Sequence, residues 1–595
     1  MKKIAKNKIN NTVLYFLFNN SEKNNKNKAL LSSNGSEFDF NRLFEQIFDL
    51  VQKLKSFGIS KNDRIALVFP QGIEMAVACL AGISCAAIAP LNPGYTKKEF
   101  EFYLSDVAPK ILLTLSGFES VAEEVAEENN IPVIKLFSIN KTNRVFFDLS
   151  LKDNKPKKIN FVFPSENDTA LLLHTSGTTA KPKLVPLTQK NIIISAKNTV
   201  KTLKLTGKDL CLNTMPLFHI HGFVVMIASL LAGGGMIAAG KFNRRDFFAG
   251  LNKHKPTWYT GGPAIHHEIV AAAEKNKDLI KVKIKKIRSS SAPLPAETIK
   301  KLEKIFEAPV LESYGMTEAA LQITSNQLPP GKRKPGSAGL ADGPKLKIVN
   351  EKGKILPSGE IGEIIVKGEN IMSGYQNNPQ ANKESFLNGW FKTGDLGYLD
   401  KDNYLFIKGR IKEMINKGGQ KISPREIDEA LLSHPSVKQA AAFSMPHKSL
   451  GEEVAAAVVL FNSSKINEDG LKKYLRKYLS EFKIPKKIIF LKNIPKGPTG
   501  KIKRTELYND LKSSFAIKYI KPLEKIESII AKTWQEVLGL KKIGLDDNFF
   551  EIGGNSLQMA ELISKLKEKN IDLKIEDLLD RPTIRGLVKK NKISL

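Results

Sequence analysis

The chain has 595 residues, too many for one hydrophobic core, so about three to five domains or subdomains are expected. Its hydrophobic share of 42% and charged share of 26% are those of a soluble globular protein, while its net charge of +31 raises a nucleic-acid or anionic-membrane partner. The lysines are spread along the whole chain, with no basic arm and no interleaved aromatic stripe, which argues against nucleic acid; three cysteines without a CxxC pair argue against a zinc site or a disulfide framework and for a reducing cytoplasm.

In chain order, the basic N-terminus has only a short apolar run, Val13–Phe18, which argues against a signal peptide. Residues 40–58 carry apolar side chains at 43, 44, 47, 50, 51 and 54, the spacing of a helix, and Gly58 supplies its stop. Arg64–Phe69 reads as a short buried strand, and Gly72–Leu91 as a helix running into a second strand. This alternation predicts an α/β fold with a parallel sheet. Residues 151–160 are polar and basic, a linker. Leu171–Leu173 end a buried strand, and a helix follows near Asn191–Leu203. Phe223–Gly240 is uncharged for 18 residues, but Gly233–Gly235 break it, so helix, turn and buried strand are expected rather than a membrane span.

Ile287–Phe306 reads as strand, polar loop and helix, and Glu312–Asn326 as a strand end followed by loop. From Lys345 to Lys408 the pattern is shorter and glycine-rich, as in β structure. The expected organisation is a large multi-subdomain unit over 1–410, a small α+β subdomain over 411–513, a linker over 514–522, and a unit of four short helices over 523–595.

One stretch concentrates chemistry. After the three leucines come Thr175, Ser176, Gly177, Thr178 and Thr179, then Lys181, Pro182 and Lys183. Glycine lets backbone N–H groups approach an anion, hydroxyls donate further hydrogen bonds, and lysine adds charge. The combination reads as a phosphate-holding loop; in isolation it is also compatible with a polar surface turn.

The other distinctive stretches are PLFHIHG at 216–222, SSSAPLP at 289–295, YGMTE at 314–318, TGD at 393–395, GR and KGGQKISP within 409–424, and PTGK at 498–501. With TSGTTAKPK they occur in the order and spacing of the adenylate-forming superfamily, the acyl-CoA synthetases, peptide-synthetase adenylation domains and luciferases, which residues 10–512 resemble. The resemblance implies ATP and Mg²⁺ as cofactors. It places the TSGTT loop and Lys183 on the β- and γ-phosphates. Tyr314, Ser290, Ser291 and Ala292 take the adenine wall, Thr317 and Glu318 the α-phosphate and Mg²⁺, and Asp395 with Arg410 the ribose hydroxyls. It makes Lys412 the hinge and Lys501 the lysine bridging the substrate carboxylate and the α-phosphate. It lines the acyl side with Phe218, His219, Trp258, Gly262, Ser291, Gly315, Met316 and Leu321.

These roles suit the reaction. A carboxylate attacking a phosphate brings two anions together, so positive charge and Mg²⁺ are needed, and a hydroxyl-rich loop must hold the leaving pyrophosphate. Ala180 and Leu184 stand where many members have glycine, so a stiffer phosphate loop and slower adenylation are expected. Two motifs are set aside. Gly235–Phe242 nearly matches a P-loop but has Phe242 in place of the Mg²⁺-binding hydroxyl, and His219-x-His221 has no third metal ligand in view.

Amino-acid-activating members carry an aspartate where this chain has His219, so an acid without an α-ammonium group is expected. The run through LPPGKRKPGSAG resembles the oxalate-CoA ligase-like branch. A second carboxylate near Leu321 would be desolvated without a visible partner, at a cost of several kcal/mol. A fatty or other monocarboxylic acid is therefore preferred, with a small dicarboxylate as the alternative. Residues 547–566, DNFFEIGGNSLQMAELISKL, resemble a carrier-domain signature with Ser556 as the phosphopantetheine attachment point. A phosphopantetheinyl transferase and a downstream acyl-transfer enzyme follow as partners, and either CoA or the carrier arm as the thiol acceptor.

Overall fold

The computed structural model describes residues 11–32, 35–141, 144–151, 162–175, 182–447, 449–461, 464, 466–496, 502–515, 519–550 and 552–591. The chain divides into two compact units, with the boundary between Thr505 and Glu506.

Among the described residues of the first unit, seven strands form one sheet in the order Arg144–Leu151, Val133–Lys141, Ile111–Leu115, Arg64–Val68, Ala87–Leu91, Thr169–Thr175, Lys183–Thr188. The inner pairings are parallel and the two outer ones antiparallel. Ala87–Leu91 is buried at every position, as a parallel strand covered by helices on both faces must be. The helix Phe40–Ser56 starts where the Asp39 side chain accepts from the Arg42 N–H, and it buries Leu43, Phe44, Ile47, Leu50, Val51 and Leu54, the six positions expected from spacing. Gly58 follows at φ +86°, a left-handed conformation that favours glycine.

A second sheet of nine described strands runs Leu340–Ala341, Leu321–Ser325, Val310–Met316, Lys286–Ser289, Trp258–Gly261, Leu210–Asn213, Gly235–Ala238, Lys28–Ser32, Glu37–Asp39. The six strands from Val310–Met316 to Lys28–Ser32 are mutually parallel, and the flanking strands pair antiparallel. The uncharged stretch resolves into the helix Ile220–Leu231, a turn with Gly233 at φ +75°, and the strand Gly235–Ala238. Among the described residues no helix is long and apolar enough to cross a membrane.

Two sequence expectations change here. Leu321–Ser325 is a fully buried strand rather than loop. The chain reverses in the single turn Thr317–Ala319, with Ala320 and Leu321 at positive φ, so no glycine or proline marks the hairpin. Leu184 does not belong to a loop either. It lies in the strand Lys183–Thr188, 4% exposed, packed with Ala87, Ala89, Val107 and Leu172. Its size serves the core, which accounts for a large side chain at this position. Ala180 and the remaining loop residues Ser176, Gly177, Thr178 and Thr179 lie outside the described residues.

Five described strands, Lys345–Val349, Gly362–Lys367, Trp390–Leu399, Phe386–Leu387 and Leu405–Arg410, make a third sheet where β structure was expected. Beyond Arg410 a smaller α+β layer begins. Its sheet holds Gln420–Ile422, Ile415–Lys417, Gly451–Leu460, Val437–His447 and Lys487–Phe490, packed with the helices Pro424–Leu432 and Glu468–Leu475 around their own apolar core.

In the second unit the described residues include the helices Lys525–Leu538, Ser556–Glu568, Ile575–Asp580 and Ile584–Asn591. Trp534 and Phe549 are wholly buried, with ring centroids 5.1 Å apart in an edge-on contact.

A partly buried acid contributes to the first unit's pH response. Glu312, on the strand Val310–Met316, accepts from the Leu294 N–H at 3.3 Å. Burial pushes its carboxyl up to about 7, despite that bond and the field of Arg425. Below about pH 4.5 folded and unfolded chains both hold the proton. Between about 4.5 and 7 only the folded chain holds it, so stability falls as pH rises through that window. Glu312→Gln is expected to flatten this fall, recovering up to about 3 kcal/mol above pH 7 and nothing at pH 4. Urea unfolding at a series of pH values checks it; an unchanged slope between the two proteins contradicts it. Leu184→Gly, which restores the common loop residue, is expected to cost about 3–5 kcal/mol by leaving a cavity and loosening a strand. Thermal denaturation measures this, and a neutral effect would show that the cluster around Leu184 is dispensable.

Candidate functional site

The strands Leu210–Asn213, Trp258–Gly261, Lys286–Ser289 and Val310–Met316 run parallel, so their carboxyl ends open at one edge of the sheet. In open α/β sheets that edge is where ligands bind, because the loops leaving it are free to carry polar groups. The segments containing His219, Gly262, Ser290–Ala292 and Tyr314–Glu318 all leave from it.

Tyr314 ends its strand with its hydroxyl 2.5 Å from Asp395 Oδ2. Asp395 is 5% exposed and pairs across a β ladder with Arg410, whose Nε lies 3.2 Å from Oδ1. Burial would lower the Arg410 pKa, but the combined fields of Asp395, Glu413, Tyr314 and Glu318 hold the guanidinium raised. Burial, then the Asp395 charge, pushes the Tyr314 phenol well above its ordinary value, so it stays a donor. The three groups form a fixed polar cluster joining the second and third sheets.

Glu318, 6% exposed, accepts from the Tyr375 hydroxyl at 2.9 Å, and its backbone carbonyl accepts from the Met372 N–H at 2.8 Å. The Lys183 Nζ sits 4.5 Å from the Tyr375 ring centroid, a cation–π contact. Tyr375 thereby links the carboxylate of Glu318 to Lys183, at the start of the strand Lys183–Thr188. Thr175 faces Lys183 across the antiparallel ladder, its hydroxyl 3.4 Å from the Lys183 carbonyl. Thr317 opens the turn that carries Glu318. Sequence reading missed Tyr375, which lies in no recognised motif; its one local signal is Gly374 beside it at φ +155°.

On the acid side, His219 caps the helix Ile220–Leu231, and its ring stacks edge-on against Phe218 at 4.7 Å. Gly262 caps the helix Pro263–Lys275, with the Ser290 carbonyl close by. Ser290 donates to the Ser313 carbonyl at 3.0 Å and is buried, whereas Ser291 and Ala292 are exposed. Gly315 has no room for a side chain, since a Cβ there would meet the Leu321 carbonyl oxygen at 1.4 Å. Met316 pairs with Leu321 across the same hairpin, and Leu321 is 2% exposed. Trp258 lies wholly buried in the strand below Thr260, on the same face.

Sequence reading also missed a cluster beneath these residues. His221 is 2% exposed and hydrogen-bonds Ser291 Oγ at 2.9 Å through Nδ1 and Thr260 Oγ1 at 2.7 Å through Nε2. Arg288 reaches the same Nε2. The HxH pattern drew attention to a metal, while the partners come from strands 39 and 67 residues away.

Lys412 lies in the turn Ile411–Glu413 that leads into the small layer. Lys501 lies outside the described residues. Three positions on, Arg504 donates to Asp428 and, at 2.7 Å, to the Ala442 carbonyl, with Glu413 3.2 Å from its Nε. In the second unit Asn555 caps the helix Ser556–Glu568, accepting from the Leu557 and Gln558 N–H groups at 3.0 Å each. Ser556 is exposed at the first helical position.

Comparison with known proteins agrees with this arrangement. Residues 17–376 match the family of AMP-binding enzymes, 426–501 the C-terminal domain of those enzymes, and 528–590 the phosphopantetheine attachment site. The chain is 40% identical over 498 residues to an oxalate–CoA ligase of Arabidopsis thaliana, covering 82% of this chain and 96% of that one. It is 30% identical over 524 residues to a long-chain-fatty-acid–CoA ligase of Bacillus subtilis, covering 82% and 93%. Its structure is similar to that of ATP-bound MatB from Rhodopseudomonas palustris, with a TM-score of 0.75, 29% identity, and coverage of 85% and 100%. The chain therefore belongs to the AMP-binding enzyme family, and it carries that family's C-terminal domain and a phosphopantetheine attachment domain on one polypeptide.

Proposed function

We propose that the chain is an ATP-dependent acid–thiol ligase that adenylates a carboxylic acid lacking an α-ammonium group and passes the acyl group to a thiol. The observation that carries this is the pairing of two buried polar clusters, Tyr314–Asp395–Arg410 and Glu318–Tyr375–Lys183, with a carrier serine on the same chain. The domain bounds that accompany this reading are 1–410, 411–513, 514–522 and 523–595.

In the first step a carboxylate oxygen of the acid attacks the α-phosphorus of ATP, and the bond to pyrophosphate breaks. Asp395 accepts the two ribose hydroxyls, with Arg410 balancing its charge. Tyr314, Ser290, Ser291 and Ala292 wall the adenine. Thr175, Ser176, Gly177, Thr178, Thr179 and Lys183 hold the departing phosphates, and Lys501 bridges the two reacting anions. Glu318 and Thr317 suit Mg²⁺, because one buried carboxylate beside substrate phosphates matches how that ion is held. When bound, the ion neutralises phosphate charge. In the second step a thiol sulfur attacks the acyl carbonyl, the bond to AMP breaks, and the thiol proton leaves to solvent. Movement of the small layer about Lys412 serves the change between steps.

The fused carrier favours the arm on Ser556 as acceptor, with CoA as the other. A phosphopantetheinyl transferase must install that arm. A downstream acyl-transfer enzyme is its natural consumer. Cys79, Cys85 and Cys211 are unpaired and buried, which suits a reducing cytoplasm.

Holo protein supplied with ATP and a panel of acids is expected to gain acyl mass on the Ser556 arm, read by intact-protein mass spectrometry. Acyl-CoA release that persists in Ser556→Ala would instead make CoA the acceptor. Absence of any acid-dependent ATP–pyrophosphate exchange would defeat the ligase reading itself. Lys501→Ala is expected to slow adenylation by roughly 10²–10³ while thioester formation from supplied acyl-adenylate largely survives. Equal loss in both half-reactions would remove the lysine's assigned role.

A further inference from the structure

Three residues beyond Lys501 stands a cation to which the steps above give no part. All three nitrogens of the Arg504 guanidinium are engaged. Nη1 donates to the Ala442 carbonyl at 2.7 Å and to Asp428 Oδ1 at 3.3 Å, Nη2 donates to Asp428 Oδ2, and Nε lies 3.2 Å from Glu413 Oε2. Asp428, 6% exposed on the helix Pro424–Leu432, also accepts from the Ala442 N–H at 2.6 Å. The fork of Arg504 is thus closed on one helix, one strand and one turn of the small layer. Bidentate pairing of this kind fixes direction as well as distance.

Glu413 is the informative partner. It follows Lys412 and ends the turn Ile411–Glu413, where the small layer begins. Its field raises Arg410 as well as Arg504, so it couples to the cation of the ribose cluster and to the cation that follows Lys501. Three extended residues span at most about 11 Å, so a fixed Arg504 leaves Lys501 a short tether. The segment leading into Lys501 contains Gly497 and Gly500, residues that impose little on backbone direction. The firm end of the segment is therefore the Arg504 side.

We propose that Arg504 is a positioning residue: through Glu413 it pins the segment carrying Lys501 to the residue after the hinge, so that rotation of the small layer about Lys412 is passed on to Lys501 instead of being lost in the segment. This rests on the ligase reading above and on the role given there to Lys501. Rotation at Lys412 leaves the clamp whole, because Glu413, Asp428, Ala442 and Arg504 all follow the hinge in the chain. Burial pushes the Asp428 carboxyl up to about 6, although Arg504 and the Ala442 N–H pull it down. Without the guanidinium it takes a proton, so removing Arg504 leaves a neutral acid inside the layer.

Half-reaction kinetics of the full chain test it. Adenylation is read by acid-dependent ATP–pyrophosphate exchange over a panel of carboxylic acids, and thioester formation by acyl transfer from supplied acyl-adenylate. Arg504→Gln is expected to lower kcat for adenylation by about ten- to a hundredfold, with KM for ATP within about twofold and thioester formation within about threefold. Arg504→Lys, which keeps the charge but loses the fork, is expected to fall between. Glu413→Gln, in a turn and partly exposed, is expected to show the same split. Beside Lys501→Ala, Arg504→Gln is expected to slow adenylation by less than about twofold more, since a residue acting only through Lys501 has nothing left to act on. A merely structural role predicts equal loss in both half-reactions, or an undiminished effect of Arg504→Gln beside Lys501→Ala, and either result overturns the proposal. Full adenylation in both Arg504→Gln and Glu413→Gln overturns it too, with the ligase reading intact. Exchange with no acid in the wild type overturns both readings together. If Arg504→Gln fails to fold, Glu413→Gln, alone and beside Lys501→Ala, decides by the same outcomes.

Discussion

One buried carboxylate ties the first unit together. Asp395 stands on the third sheet, accepts from Tyr314 at the edge of the second, and faces Arg410 on the neighbouring strand. A charge this deep persists only when it is matched, because removing one partner strands the others in a low-dielectric interior. The match fixes the third sheet against the open edge of the second. It also fixes the residue immediately before the turn Ile411–Glu413, where the small layer begins. The proposed ribose subsite and the start of the small layer therefore share one set of hydrogen bonds.

The same economy recurs at the phosphate side. Tyr375 uses its hydroxyl on Glu318 and its ring under Lys183, so one side chain holds both the carboxylate and the cation. The next residue, Gln376, donates its N–H to the Leu184 carbonyl at 2.9 Å and anchors the segment to the strand leaving the loop. Leu184 in turn is clamped by the apolar cluster around Ala87 and Leu172. A strand that is well packed on one side of a glycine-containing loop gives that loop a firm base. The departure from glycine at Leu184 is thus accounted for by packing.

Much of the fold was legible from local pattern. The helix Phe40–Ser56 and the break at Gly233 follow from spacing and from the conformational freedom of glycine. The hairpin from Val310 to Ser325 was not legible, because its turn uses Ala320 and Leu321 at positive φ instead of glycine or proline. The motif residues at the crevice were recognisable because they stand in short contiguous stretches shared with the family. Tyr375, Thr260 and Arg288 were not, since each stands outside any motif and acquires meaning only from a partner far away in the chain.

The amino-acid sequence by itself determined the family and the order of its domains, because these depend on short contiguous patterns. It showed no partner for a second carboxylate near Leu321 and so favoured a monocarboxylic substrate. Tertiary structure decided what lies under the acid side. His221, Thr260, Arg288 and Ser291 come from one helix, two parallel strands and a loop, and their meeting is a property of strand order. Hydrogen bonds between such elements set which atom of His221 carries the proton, because the Arg288 guanidinium only donates. No local pattern encodes that choice, because it depends on a charge 67 residues away from the ring it polarises.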